Sequence, residues 1–142
     1  HSVTLQAKYF IKGESESENS SLTQRIVFYS DTARVDFRTS VDWNANKKLL
    51  KVYFPVDIRS DYATFDIQYG TIRRPTHANT SWDEAKLEVY AHKFADISEN
   101  KFGFAVLNNC KYGYSVRNND IGLSLLKAPK FPDHDSDMCH GQ

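Results

Sequence analysis

Cysteine is nearly absent from this chain: Cys110 and Cys139 are the only two among 142 residues. Two thiols cannot define a disulfide framework, and neither belongs to a Cys-x-x-Cys pair, so a reducing compartment is compatible. Long apolar runs are missing as well. No stretch approaches the roughly 20 residues needed to span a bilayer, and the N-terminus lacks the basic, apolar and small-residue regions of a signal peptide. The expectation is a cytosolic chain or one whose true start lies upstream. Net charge is also lacking, because 18 Lys and Arg balance 18 Asp and Glu. No overall field therefore favours nucleic acid or an anionic membrane, and a neutral partner is the simpler reading. Nothing repeats at a fixed period.

Aromatic residues are plentiful at 13%, with eight Tyr and nine Phe. They suit pleated strands and also stacking on sugar rings. At this size one domain could bury roughly two thirds of its unfolded surface. Alternation is the dominant period: Val3, Leu5, Ala7, Tyr9 and Ile11 share one side and Thr4, Gln6 and Lys8 the other, which predicts a half-buried strand. Residues 13–21 read as a polar loop, and strands are expected at 24–29, 33–43, 49–58 and 63–69. Pro55 must sit at a bulge or on an edge, since it cannot donate to a central ladder. Ser81-Trp82-Asp83-Glu84 has capping-box form and predicts one helical turn at most. The alternation of Leu87, Val89 and Ala91 then predicts a strand, followed by others at 102–107, 114–117 and 121–126. The sum is an all-β antiparallel β-sandwich of about nine or ten strands. Both ends read as cut, so the chain is expected to be a piece of a larger protein.

Residues 70–84 carry no sustained period of 2 or 3.6, and a long irregular connection inside a β domain usually holds binding or catalytic groups. Within it Arg73 to Trp82 reads as a functional loop containing two arginines, His77, Asn79 and Trp82. An imidazole and an amide two residues apart can together read vicinal hydroxyls.

Other candidate chemistry is weaker. The tail Asp133-His134-Asp135-Ser136-Asp137-Met138-Cys139-His140 offers oxygen, nitrogen and sulfur donors. It has neither His-Glu-x-x-His nor EF-hand spacing, so it reads as a solvated connection. Asp57, Asp61, Asp66, Asp83, Glu84, Glu88 and Asp96 are scattered at strand ends and outward positions, and no pair recommends itself for acid/base work. Cys110, followed by Lys111, has the charge neighbour of a nucleophile, yet its place in a turn favours a small buried thiol.

Several blocks are recognisable as a pattern: Arg74-Pro75-Thr76-His77, Asn79-Thr80-Ser81-Trp82, Glu88-Val89-Tyr90-Ala91-His92-Lys93, Asn108-Asn109-Cys110-Lys111-Tyr112-Gly113-Tyr114 and Leu123-Ser124-Leu125-Leu126-Lys127-Ala128-Pro129. In this order they resemble glycoside hydrolase family 38 α-mannosidases, in the animal cytosolic and fungal vacuolar branch. The resemblance covers most of the chain, weakly before residue 40. It implies a segment of the C-terminal β-sandwich region of a larger enzyme, whose (β/α) catalytic domain and helical bundle are not in this sequence.

What the resemblance implies about activity is a retaining double displacement on terminal α-linked mannose, with zinc gripping the sugar hydroxyls. The nucleophile, the acid/base carboxylate and the zinc ligands would belong to the catalytic domain, leaving no catalytic or metal-binding residue in this segment. Its implied partners are a mannose-containing oligosaccharide and the remainder of the polypeptide, with a homo-oligomer allowed for, in cytoplasm or vacuole. Arg74, His77, Asn79 and Lys127 are the substrate-binding candidates, with Trp82, Lys111 and Tyr112 as a second tier for the pocket or for docking. Lys127 and Asn109 depart from the arginine and aspartate common in relatives. A rival reading is a free-standing carbohydrate-binding module that uses Trp82, Tyr112 and Tyr114 as stacking platforms.

Overall fold

The computed structural model describes residues 1–129. The tail 133–140 lies outside the described residues. Among those described, eleven strands and very little helix form three antiparallel sheets, distributed over two compact units.

One unit comprises His1–Lys48 with the segment that begins at Ala128. Its sheet has the order β1 (Ser2–Ile11), β2 (Ser20–Tyr29), β3 (Val35–Asp42). Register puts Val3 beside Phe28 and Val35, Leu5 beside Ile26 and Phe37, and Tyr9 beside Leu22 and Val41, so one side of the sheet carries three apolar rows. The alternation is real, but the burial expected from it is not. Val3 is 63% exposed, Leu5 55% and Tyr9 53%. A sheet buries a face only where a second layer covers it. The small buried set here is Ser20, Leu22, Ala45 and Ala128. Ser20 Oγ accepts from the backbone N–H groups of Asn44 and Ala45 at 2.8 and 3.0 Å, which pins the chain leaving β3.

The second unit, Leu49–Lys127, is a true sandwich. One sheet has the order β4 (Leu49–Pro55), β11 (Asp120–Lys127), β10 (Gly113–Arg117), β7 (Val89–Tyr90). The other runs β6 (Gly70–Pro75), β5 (Tyr62–Ile67), β8 (Phe94–Ser98), β9 (Gly103–Leu107). Alternate residues of both sheets fill the space between them: Phe65, Ala95, Ile97 and Val106 from one, Tyr114, Val116, Ile121 and Leu123 from the other. Phe54 meets Phe104 at 5.9 Å and Phe65 meets Tyr114 edge-on at 6.3 Å. Those contacts set β4 across from β9 and leave β6 across from β7 at the opposite edge. Pro55 lies on edge strand β4, where its missing N–H costs no ladder bond.

Several expectations need correction. The irregular stretch expected over 70–84 is in part a strand: β6 pairs with β5 from Gly70↔Ile67 to Pro75↔Tyr62. As a solvent-side edge strand it needs no apolar period, so Arg73 and Arg74 project from a sheet rather than a loop. Tyr69, at φ 60°, makes the tight turn between the two strands. The helix α1 (Ser81–Ala85) is capped one residue earlier than expected, by Thr80, whose Oγ1 accepts from the Asp83 N–H. The strand expected around residues 87–91 shrinks to Val89–Tyr90. Strand β8, absent from the strands expected, is central, with Ala95 and Ile97 fully buried.

Candidate functional site

A cleft of about 290 Å³ opens where edge strand β6 faces β7 and β10. Its floor is apolar, with Phe65 and Val116, while Arg73, Arg74, His77, Asp83, Lys86 and Arg117 stand around it. Each wall has a separate origin. Strand β6 delivers Arg74, whose guanidinium lies 4.8 Å from the centre of the Phe65 ring. His77 follows two residues after the strand ends, where Thr76 anchors the chain by donating from its N–H to Asp61 O at 3.0 Å and from Oγ1 to Ser60 O at 2.6 Å. Thr76 O in turn accepts from the Asn118 N–H at 2.8 Å, joining this connection to the β10–β11 turn.

The third wall is α1, and Arg117 of β10 holds it. Arg117 Nη2 donates to the carbonyl oxygens of Asp83, Glu84 and Lys86 at 3.0, 3.2 and 3.2 Å. Those carbonyls lie at the end of a five-residue helix, that of Asp83 also accepting from the Lys86 N–H, and there a cation meets the negative end of the helix dipole. Asp83 accepts from the Thr80 hydroxyl at 2.7 Å and pairs with Lys86 at 3.6 Å. The Thr80 hydroxyl, then Lys86 and His77, hold the Asp83 carboxyl below the usual carboxylate range.

Two polar atoms in this cleft are buried and without a hydrogen-bond partner: Arg74 Nη1 and His77 Nδ1. Native proteins leave few such groups, and each one calls for an explanation. Burial moves the Arg74 guanidinium below its ordinary pKa.

Of the sequence candidates, the structure brings Arg74 and His77 together and leaves the others elsewhere. Asn79 is exposed and does not line the cleft. Trp82 is 80% exposed on α1 and also lies outside the lining. Lys127 is exposed at the far end of β11, beside Leu49, with the length of the strand between it and the Arg117–Asp120 turn. Lys111 and Tyr112 precede β10 at its opposite end from Arg117. There Tyr112 stacks on Tyr90 at 6.1 Å, and His92 meets both rings edge-on. Asn109 is exposed and its carbonyl accepts from Lys93 Nζ at 3.0 Å. Cys110 is exposed, contrary to the buried thiol expected, because Asn108 Oδ1 turns the chain outward by accepting from the Cys110 and Lys111 N–H groups. Tyr114 is fully buried and offers no stacking face to a ligand.

Arg117 and Lys86 were not singled out from the sequence, and Asp83 was weighed there only as one of seven scattered carboxylates and as part of a capping box. The Thr80-x-x-Asp83 cap was a readable local signal, whereas nothing local connects Arg117 to carbonyls over 30 residues away. Among the described residues no group of three or more His, Cys, Asp or Glu side chains converges. The donor set of the cleft, one imidazole and one carboxylate among the cationic side chains of Arg74, Lys86 and Arg117, does not fit a zinc ion.

Residues 2–135 match the model of the glycosyl hydrolases family 38 C-terminal domain. Alpha-mannosidase 2C1 of Mus musculus is 55% identical over 122 residues, which is 86% of this chain and 12% of the mouse protein. Alpha-mannosidase G of Dictyostelium discoideum is 53% identical over 134 residues, covering 94% of the chain and 12% of that protein. An alpha-mannosidase of Saccharomyces cerevisiae is 51% identical over 119 residues, 83% of the chain and 11% of the yeast protein. The chain thus spans about an eighth of the length of these relatives. The crystal structure of an alpha-mannosidase from Enterococcus faecalis V583 shares the fold, with a TM-score of 0.76 at 13% identity over 90% of this chain and 17% of that one.

Proposed function

Because the chain belongs to the glycosyl hydrolases family 38 C-terminal domain family, we propose that it is the β-sandwich portion of an α-mannosidase. The full polypeptide would remove terminal, non-reducing α-linked mannose from oligosaccharides. What carries this reading is identity of 51 to 55% with proteins named alpha-mannosidase over 83 to 94% of the chain.

Within that reading the cleft between β6 and β10 forms part of the wall of the sugar site. Its support is the unpartnered His77 Nδ1 together with the apolar lining residues Phe65 and Val116. A sugar presents hydroxyls and an apolar C–H face together, and such a mixture of ring, imidazole and guanidinium suits it. The imidazole of His77 would exchange a hydrogen bond with a hydroxyl and orient the ring. Asn79 and Lys127 would reach the sugar only from outside this cleft, so they are demoted below Arg74 and His77. The double displacement with retention, the carboxylates that perform it and the zinc that the resemblance implies all fall to the part of the polypeptide outside these residues. Cytoplasm or vacuole is the residence that goes with this branch of the family. No helix among the described residues is long and apolar enough to cross a membrane.

The test is hydrolysis of a synthetic α-mannoside. The isolated chain is expected to give no turnover, and the full-length polypeptide to hydrolyse it; turnover by the isolated chain would contradict the assignment. A carbohydrate-binding module is the second reading, favoured by the half-exposed stack of Tyr90 and Tyr112. It predicts saturable binding of a mannoside by the isolated chain.

A further inference from the structure

Arg74 has no counter-ion among the described residues. The ion pairs present join Arg34 to Asp36, Lys51 to Glu88 and Lys86 to Asp83, and none includes Arg74. Its Nη1 is buried without a partner, and its guanidinium lies 4.8 Å from the centre of the Phe65 ring. The charged groups that face it do not help. Arg73, on the same strand, stacks over Tyr62 at 4.8 Å, and Arg117 is committed to three backbone carbonyls. Asp83, the one carboxylate in the cleft lining, is already held by the Thr80 hydroxyl and Lys86. His77 brings an imidazole and no negative charge. The cleft therefore sets the side chains of Arg74, Lys86 and Arg117 against a single engaged carboxylate, with that of Arg73 on the opposite face of β6.

A partly buried guanidinium left in this state is a cost, because it gives up hydration without receiving a compensating charge or hydrogen bond. Such a group calls for a partner, which water, a ligand or another part of the protein can supply. We infer that the cleft receives a carboxylate side chain from the part of the polypeptide outside this chain, and that Arg74 holds it through the paired N–H groups of its guanidinium. Two observations choose this source over a free anion. The chain spans only about an eighth of the length of its relatives, which therefore carry most of their own length outside the matched region. The floor of the cleft is apolar, lined by Phe65, Ile72, Pro75, Val89 and Val116, which suits a side chain arriving with its own apolar stem better than a hydrated small ion. A carboxylate of planar shape also matches the guanidinium fork. The inference concerns the partner of Arg74 and stands whether or not the cleft lines a sugar pocket.

The sign of a stability change tests it. In the full-length polypeptide, Arg74→Met keeps an unbranched stem and a sulfur to lie on Phe65 while removing the charge. If a carboxylate is paired with Arg74, the substitution strands that carboxylate, and the melting midpoint should fall by more than about 3 °C. Arg74→Lys, which keeps the charge without the fork, should fall by less, and it serves as the readout if the methionine variant does not fold. Arg73→Met, at the exposed neighbour, should change the midpoint by about 1 °C or less. A midpoint that is unchanged or raised in Arg74→Met overturns the inference, since removing an unpaired buried charge is neutral or favourable. Stabilisation of the wild-type polypeptide by millimolar phosphate that is lost in Arg74→Met would overturn it in favour of a soluble anion.

Discussion

Glu88 shows how much a single side chain here depends on its cross-strand neighbours. Its carboxylate accepts from the Ser124 hydroxyl and pairs with Lys51 Nζ at 2.9 Å, and Lys51 itself donates to Ser115 Oγ at 3.1 Å. The Ser124 hydroxyl foremost, and Lys51 after it, hold the Glu88 carboxyl below the usual carboxylate range against an opposing effect of burial. A carboxyl whose folded pKa is depressed stabilises the fold above its unfolded value of about 4.3, and that contribution is lost as pH falls through the folded pKa. Melting midpoints between about pH 6 and pH 3 should therefore fall less steeply for Glu88→Gln than for the wild type. Equal slopes would contradict the depressed carboxyl. At this scale the sequence pointed to His77 as a loop histidine with an amide two residues on, and the structure sets it in the cleft lining. Tyr114 was not: alternation gives its side of the strand, and only the opposing sheet shows that the ring is fully buried against Phe65.

At the scale of elements, α1 depends on its partners more than on its own residues. Five residues are too few for a stable helix in water, so its persistence must come from its caps. Thr80 supplies the N-terminal cap, and Arg117 gathers the carbonyls of Asp83, Glu84 and Lys86 at the other end. Charge-assisted hydrogen bonds contribute roughly 1.5 to 3 kcal/mol each at most. Replacing Arg117 by Met should therefore speed hydrogen exchange at the Glu84 and Lys86 amides by about tenfold or more. Unchanged protection there would show that α1 is held by something else. The Thr80 cap could be read from the sequence within one residue, because capping is local. The Arg117 clamp could not, because it joins segments far apart in the chain. The strand β6 was missed for a related reason: an edge strand facing solvent has no apolar period to betray it. Its pairing with β5 is what sets Arg74 on the face of the sheet that carries Phe65, as one wall of the cleft, and Arg73 on the opposite face beside Tyr62.

For the whole molecule, alternation was enough to indicate an all-β antiparallel fold, since period 2 follows from strand geometry itself. It did not show which faces are covered. The apolar rows through Val3, Leu5 and Tyr9 have the pattern of a buried face and yet remain more than half exposed, while the sandwich of residues 49–127 has a closed core. Contiguous exposed apolar surface of this kind is uncommon on a free-standing protein. It fits a chain that spans about an eighth of its relatives. The central claim is that this sandwich lends His77 to a mannose site completed by the rest of the polypeptide. The most direct test is kcat/KM of full-length His77→Ala on a synthetic α-mannoside, with melting behaviour measured alongside. The account predicts a loss of about tenfold or more, about 1.4 kcal/mol of transition-state stabilisation, with an unchanged melting midpoint. A value within about twofold of wild type, roughly 0.4 kcal/mol, would contradict it.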